Sequence, residues 1–228
     1  VSSVRTGGIT FAPEAGTQRM RDVINKGITE EDLMNAAKMA FEGGYSSIKL
    51  YFMIGLPTET MDDVKGIAEL GQKVVNTFYQ CENRPKGKGV SVTLSTSSFV
   101  PKPFTPFQFE PQISKAEMER RQELLKNSIK TRKIDLNYHD SSTSFLEAAF
   151  ARGDRRLSKA LEIAYRNGQI FDGWDEYFSY DRYINSFEEA GLNPSFYANR
   201  KIPFDAVLPW QHIDSGVTHK FLLTEAKN

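Results

Sequence analysis

Two polar clusters in the C-terminal half carry side chains whose types and spacing suit chemistry: Tyr138-His139-Asp140 and Arg152-Gly153-Asp154-Arg155-Arg156. An imidazole beside a carboxylate makes an acid/base pair, and grouped guanidiniums hold a phosphate or carboxylate. Neighbours in sequence need not face each other, so a structural histidine and an inter-helix salt-bridge network are the competing readings. Upstream, Ser91, Thr93, Ser95 and Ser97 alternate along one predicted strand, with Thr96 and Ser98 beside them. The odd positions share a face, which either lines a polar interior or packs as small residues. Glu14 stands between a strand and a helix entry, where the macrodipole favours an acid, and Lys26 precedes Gly27 near a helix C-terminus, where it favours a cation. Cys81, the single cysteine, sits among Gln80, Glu82 and Asn83 and reads as a lone surface or semi-buried thiol.

The elements that must position these groups follow a regular beat. Ile9 to Ala12, Ile48 to Ile54 and Val90 to Val100 read as strands starting about forty residues apart, with helical stretches between them. That is the spacing of repeated β/α units. The middle strand, Ile48-Lys49-Leu50-Tyr51-Phe52-Met53-Ile54, is apolar at most positions and is expected to be parallel and covered on both faces. Thr29 with Asp32, Thr60 with Asp63 and Ser114 with Glu117 have capping-box spacing. Between strand and helix, Gly55-Leu56-Pro57 forms a turn that presents backbone to a ligand. Residues 134 to 139 alternate like a short strand, and from Thr143 the chain reads as short helices broken by Gly153, Gly168, Gly173 and Gly191. The expected organisation is an α/β region over 1–138 and a mainly helical extension over 139–228.

Charge and length narrow the classes of function. Lys plus Arg equals Asp plus Glu at 29 each, so no global field draws the chain to nucleic acid or an anionic membrane. With 228 residues and 39% hydrophobic content it has material for one good core and a small second one. No stretch approaches the roughly 20 apolar residues of a membrane span. A cytoplasmic protein with no membrane partner is expected.

Three motifs in order, Phe11-Ala12-Pro13-Glu14-Ala15-Gly16-Thr17, Tyr51-Phe52-Met53-Ile54-Gly55-Leu56-Pro57-Thr58-Glu59-Thr60 and Phe99-Val100-Pro101-Lys102-Pro103-Phe104-Thr105-Pro106, carry a resemblance. The first ~110 residues resemble the second half of a radical S-adenosylmethionine (AdoMet, SAM) barrel, most like proteins that carry a cobalamin-binding domain ahead of it. The resemblance implies half of a (β/α) TIM-like barrel with parallel strands, followed by the helical extension. It implies that Glu14 meets the ribose hydroxyls of AdoMet, that Lys26 meets its carboxylate, and that backbone near Ile54, Gly55, Phe99 and Val100 meets adenine. Tyr51 stands where several relatives have an Asp on the ribose, a departure, since a phenol makes one hydrogen bond and cannot grip a diol.

The largest departure is in the cysteines. The family holds a [4Fe-4S] cluster through three thiolates of a CxxxCxxC loop, and one cysteine cannot do so, so no metal ligands are expected here and the chain reads as a fragment of a longer enzyme. The implied function is to position AdoMet and supply substrate wall for 5′-deoxyadenosyl radical chemistry, with the cluster loop, and cobalamin if used, in the missing N-terminal half. The fragment alone is expected to be inactive and, with an uncovered strand edge, to pair with a second copy. The alternative is an RNA- or protein-interaction module built on the basic and aromatic C-terminal region, Phe145 to Phe221.

Overall fold

The computed structural model describes residues 8–227. Four parallel strands pair in chain order: β1 (Ile9–Glu14), β2 (Ser47–Ile54), β3 (Ser91–Ser98) and β4 (Ile134–Tyr138). A parallel pair needs a crossover, and helices supply each one. α1 (Gln18–Val23) and α2 (Glu30–Glu42) join β1 to β2, α3 (Met61–Gln80) joins β2 to β3, and α4 (Lys115–Ser128) precedes β4. The α/β expectation with parallel strands holds, and β3 is shorter at each end than the stretch 90–100.

Local sequence explains the helix starts. Thr29 and Thr60 each accept from the backbone N–H three residues on, while Asp32 and Asp63 reach back to the cap N–H, so both capping boxes form. α3 buries Val64, Ile67, Gly71, Val74, Val75 and Phe78, a stripe at helical spacing. It packs on β2, β3 and β4. Burying each large apolar side chain contributes about 1.5–3 kcal/mol, so this stripe holds the helix to the sheet. A charge at Val74, which is fully buried, would break it.

The two faces of the sheet differ. Ile48, Leu50, Phe52 and Ile54 of β2 are buried on the helix side, with Val92 and Leu94 of β3 in register with Ile48 and Leu50. The alternate residues are not covered: Lys49 and Met53 are half-buried and Tyr51 is 41% exposed. The expectation of a β2 covered on both faces is therefore corrected for the described residues. Lys49, Tyr51 and Met53 supply the period-2 break that a count of apolar residues passes over.

The chain divides into two compact units. The first comprises residues up to Ser98 together with Ala116–His139, and the second comprises Phe99–Lys115 and the chain from Asp140. A single break after 138 thus misplaces Phe99–Lys115. In the second unit, α5 (Ser141–Ala151), α6 (Leu157–Arg166), α7 (Tyr180–Glu189) and α8 (Pro194–Ala198) gather a core of Phe145, Leu146, Leu157, Phe187 and Tyr197. A smaller cluster of Phe109, Ile202, Leu208 and Trp210 has Leu223 of α9 (His219–Lys227) packed against it. Gln112 ties this unit together, its amide donating to the carbonyls of Phe99 and Ser144, both 3.1 Å away.

Cys81 caps the C-terminus of α3 and is buried, not a surface thiol. Burial pushes its pKa up. Among the described residues no helix is long and apolar enough to cross a membrane.

Candidate functional site at the strand ends of the first unit

Ligands of parallel α/β folds sit at the carboxyl ends of the strands, which here are the loops after β1 and β2. The β2–α3 loop is held by charge. Gly55 has φ 86°, a left-handed conformation that suits glycine. Its N–H donates to Glu59 Oε2 at 2.8 Å, and Arg121 Nη1 of α4 donates to the same oxygen at 2.5 Å. Arg121 also binds Glu117 at 2.9 Å. Glu59 and Arg121 side chains are only 3% and 11% exposed. Burial raises the pKa of Glu59, against the pull of the Gly55 N–H and Arg121.

Four residues on, Asp63 shows the opposite outcome. Its carboxylate accepts from Thr17 Oγ1 at 2.5 Å, from Thr60 N at 2.8 Å and Thr60 Oγ1 at 2.7 Å, and pairs with Arg19. Burial would raise its pKa, but these donors outweigh burial and hold the carboxyl well below the usual carboxylate range. Since Thr17 is the N-cap of α1 and Thr60 that of α3, one side chain joins two helix starts. Close approach completes the join. A Cβ on Gly16 would meet Ile67 N at 2.4 Å and Asp63 O at 2.6 Å, and one on Gly66 would meet Thr17 Cγ2 at 2.7 Å.

The β1 end is looser. Glu14 takes φ 68°, uncommon for a residue with a Cβ, after a register shift between Phe11 and Glu14. Lys26 Nζ lies 3.5 Å from Glu14 Oε1, with the two side chains 34% and 28% exposed. Two candidates picked twelve residues apart are therefore partners in space, and either can change partner at low cost. An exposed pair contributes only about 0.2–1 kcal/mol.

Tyr51 lies on the open face, beside Ser95 in register, with Lys49 Nζ 4.6 Å from its ring centre. Ile54 sits on the opposite, buried face, so only its backbone could meet a ligand. The Gly55 N–H is already taken by Glu59. Thr93, Ser95 and Ser97 share the face of Tyr51, in register with Lys49, Tyr51 and Met53. Ser98 Oγ, at the end of β3, is buried without a hydrogen-bond partner among the described residues.

Phe99 and Val100 belong to the second unit, where the Phe99 carbonyl accepts from Gln112 and Val100 packs on the helical core. Asp140 is committed as the N-cap of α5, accepting from Thr143 N at 2.9 Å. The arginine cluster separates by role. Arg152 is 1% exposed and its guanidinium donates to the carbonyls of Tyr197, Ala198 and Arg200 at 2.6–2.7 Å, so it closes the end of α8 and holds no phosphate. Burial and the nearby Arg200 lower its pKa to about 10. Arg156 pairs locally with Asp154 at 2.6 Å, an ion pair two residues apart rather than one between helices.

An uncharacterised protein of Methanocaldococcus jannaschii is 30% identical to this chain over 184 residues, 81% of the chain. The chain spans 38% of that protein's length. No family profile matches the chain. No solved structure matches it either.

The residues present fit two prospective cofactors differently. A ligand with hydroxyls and a carboxylate finds a reachable carboxylate and ammonium in Glu14 and Lys26. An iron–sulfur cluster does not fit. Cys81 is alone, buried and at the end of α3, which runs back toward the amino ends of the strands. Among the described residues no three His, Cys, Asp or Glu side chains group as metal ligands.

Sequence reasoning missed Glu59, Arg121 and Arg19, and saw Asp63 only as a cap. Thr17 and Asp63 lie 46 positions apart and Glu59 and Arg121 lie 62 apart, so no local pattern announces them. The one available signal was a glutamate four residues after a turn glycine, within reach of that glycine's N–H.

Proposed function

We propose that the chain is the AdoMet-positioning part of a radical AdoMet enzyme, its sheet forming half of a (β/α) barrel. The observation that carries this reading is the sequential parallel sheet with helices on one face and, on the other, the polar side chains of Lys49, Tyr51, Ser95 and Ser97, of which Tyr51 is exposed, Lys49 and Ser97 are half-buried and Ser95 is buried. In a barrel that face turns inward, toward substrate. AdoMet, when bound, would supply the reactive group through reductive cleavage of its sulfonium. This chain's residues would orient it: Glu14 accepting from the ribose hydroxyls, Lys26 donating to the amino-acid carboxylate, Tyr51 offering one hydrogen bond, and the Glu59–Arg121 pair fixing the Gly55 turn. The ligands of the cluster, and any cobalamin, would come from sequence beyond these 228 residues.

Calorimetry of AdoMet binding to the full-length protein tests the assignment. Glu14→Ala is expected to weaken binding by about 1–3 kcal/mol, the cost of losing a hydrogen bond to a charged acceptor. Unchanged affinity returns Glu14 to a helix-terminus role, and absence of AdoMet binding by the native protein overturns the whole reading.

A second reading treats the second unit as an interaction module, favoured by its exposed aromatics Tyr165, Phe171, Trp174 and Tyr177. Of the arginines in the 152–156 cluster, Arg155 and Arg156 are exposed and Arg152 is buried. Salt-dependent RNA affinity lost in an Arg155→Ala, Arg156→Ala double variant would support it.

A further inference from the structure

A cavity of about 320 Å³ opens in the second unit between the 3-10 turn Pro106–Phe109 and α9, at the small end of the range of ligand sites, about 300–1,000 Å³. Its wall includes Phe104, Gln108, Leu208, Trp210 and Leu222, and its rim His212, Asp214 and His219. Gln108 is 1% exposed. Two donors settle the orientation of its amide. Phe104 N at 3.1 Å and Trp210 Nε1 at 2.8 Å both point at one amide atom, which must be the oxygen, because a backbone N–H and an indole N–H cannot accept. The other end is then Nε2, a donor with two hydrogens, and it has no acceptor among the described residues.

A buried amide donor left unpaired costs free energy comparable to a lost hydrogen bond, and native structures rarely keep one without a reason. The rest of the amide is satisfied and its residue is held by Trp210, so rotating it away would sacrifice two bonds to rescue one. Gln108 lines the cavity but Nε2 itself is closed to solvent, so an acceptor reaches it only as the wall around Gln108 gives way to a bound ligand, and that contact removes the cost. The lining also restricts the charge of that acceptor. No Lys or Arg is among the lining residues, so nothing permanently positive offsets a carboxylate or phosphate, while Asp214 at the rim repels one. Asp214 is itself held in a turn by Gly216 N at 2.8 Å. The apolar and aromatic wall suits a flat body.

We infer that this cavity binds a small, neutral, flat molecule carrying an amide or lactam carbonyl, whose oxygen accepts from Gln108 Nε2 while its ring lies against Trp210 and Phe104. The site is separate from the strand ends of the first unit and stands whether or not AdoMet binds there.

The chain has two tryptophans, and Trp174 lies outside the cavity as an internal control. Benzamide, uracil and benzoate are titrated into the ¹⁵N-labelled chain while the two indole N–H resonances are followed, assigned through Trp174→Phe. The expected result is a saturable shift of the Trp210 signal with benzamide or uracil, a still Trp174 signal, and benzoate binding at least tenfold weaker. Gln108→Glu keeps an acceptor for Phe104 N and Trp210 Nε1 but removes the donor, and should weaken benzamide and uracil at least tenfold. Val217→Phe at the exposed part of the lining blocks entry without touching the amide and should abolish the shift, which keeps the test decisive if Gln108→Glu fails to fold. No saturable Trp210 shift at millimolar probe, benzoate binding as tightly as benzamide, or undiminished affinity in either folded variant overturns the inference.

Discussion

The loops after β1 and β2 end neighbouring strands of one sheet, yet they are built on opposite terms. After β2, Glu59 and Asp63 are buried and the Arg121 side chain is only 11% exposed, and each of these charges has a designated partner. After β1, Glu14 and Lys26 are each about one-third exposed and meet only at 3.5 Å. The difference teaches where to look for function. A buried charge costs too much to leave unpaired, so it is fixed by folding and is unavailable to a ligand. A half-exposed pair loses almost nothing on exchanging its partner for a substrate group.

The contrast is broken most severely by removing one member of the buried pair. Arg121→Met leaves Glu59 as an uncompensated interior charge, and a loss of about 3–5 kcal/mol is expected in urea unfolding at pH 7. The sign of the pH dependence follows from the direction of the shift. The folded pKa of Glu59 is raised above its unfolded value, so the folded state binds its proton more tightly, and the group's contribution is best below about pH 4.3 and declines as pH rises through the folded pKa. The Arg121→Met deficit should therefore shrink at pH 4; an equal deficit at both pH values would mean Glu59 is not the group left stranded.

Next in size is Gly16→Ala. The new Cβ would stand 2.4 Å from Ile67 N, a backbone atom with no freedom to yield, and about 3 kcal/mol of destabilisation is expected by thermal unfolding. A smaller loss, about 2 kcal/mol, is expected for Asp63→Asn, which weakens one cap and the tie to Arg19 and Thr17. Asp63 titrates in the opposite sense to Glu59. Its folded pKa is depressed, so its stabilisation is fully present above about pH 4 and is lost as pH falls below that. The native chain should thus lose stability on acidification more steeply than Asp63→Asn.

The smallest effect sharpens the comparison from the other side. Glu14→Gln and Lys26→Met should each change stability by less than about 0.5 kcal/mol, as exposed pairs do, while affecting AdoMet affinity in the full-length protein. A loss of several kcal/mol in either variant would place this pair in the same class as Glu59 and Arg121.

Much of the architecture was legible because its signals are local. The strands at Ile48–Ile54 and Ile134–Tyr138 announced themselves through residue type and alternation, and Thr29–Asp32 and Thr60–Asp63 through a three-residue spacing. What stayed hidden depends on which residues meet across the chain. Arg152 looks like any arginine of a basic cluster until the end of α8 is laid against it. The placement of Phe99–Lys115 in the second unit rests on Gln112, whose reach to Phe99 and Ser144 has no signature in sequence. Of the candidate site, the pairing of Glu14 with Lys26 was unforeseen although both residues were picked, because nothing along the chain says how a twelve-residue excursion closes.

The solitary thiol of Cys81, shut in at 2% exposure and held protonated by its surroundings, leaves the surface free of competing sulfhydryls among the described residues. New cysteines at two solvent-facing positions, one in each unit, such as Met39 and Val207, should therefore take up maleimide labels stoichiometrically with the native residue left in place, so that distances between the two units can be measured on otherwise unaltered protein.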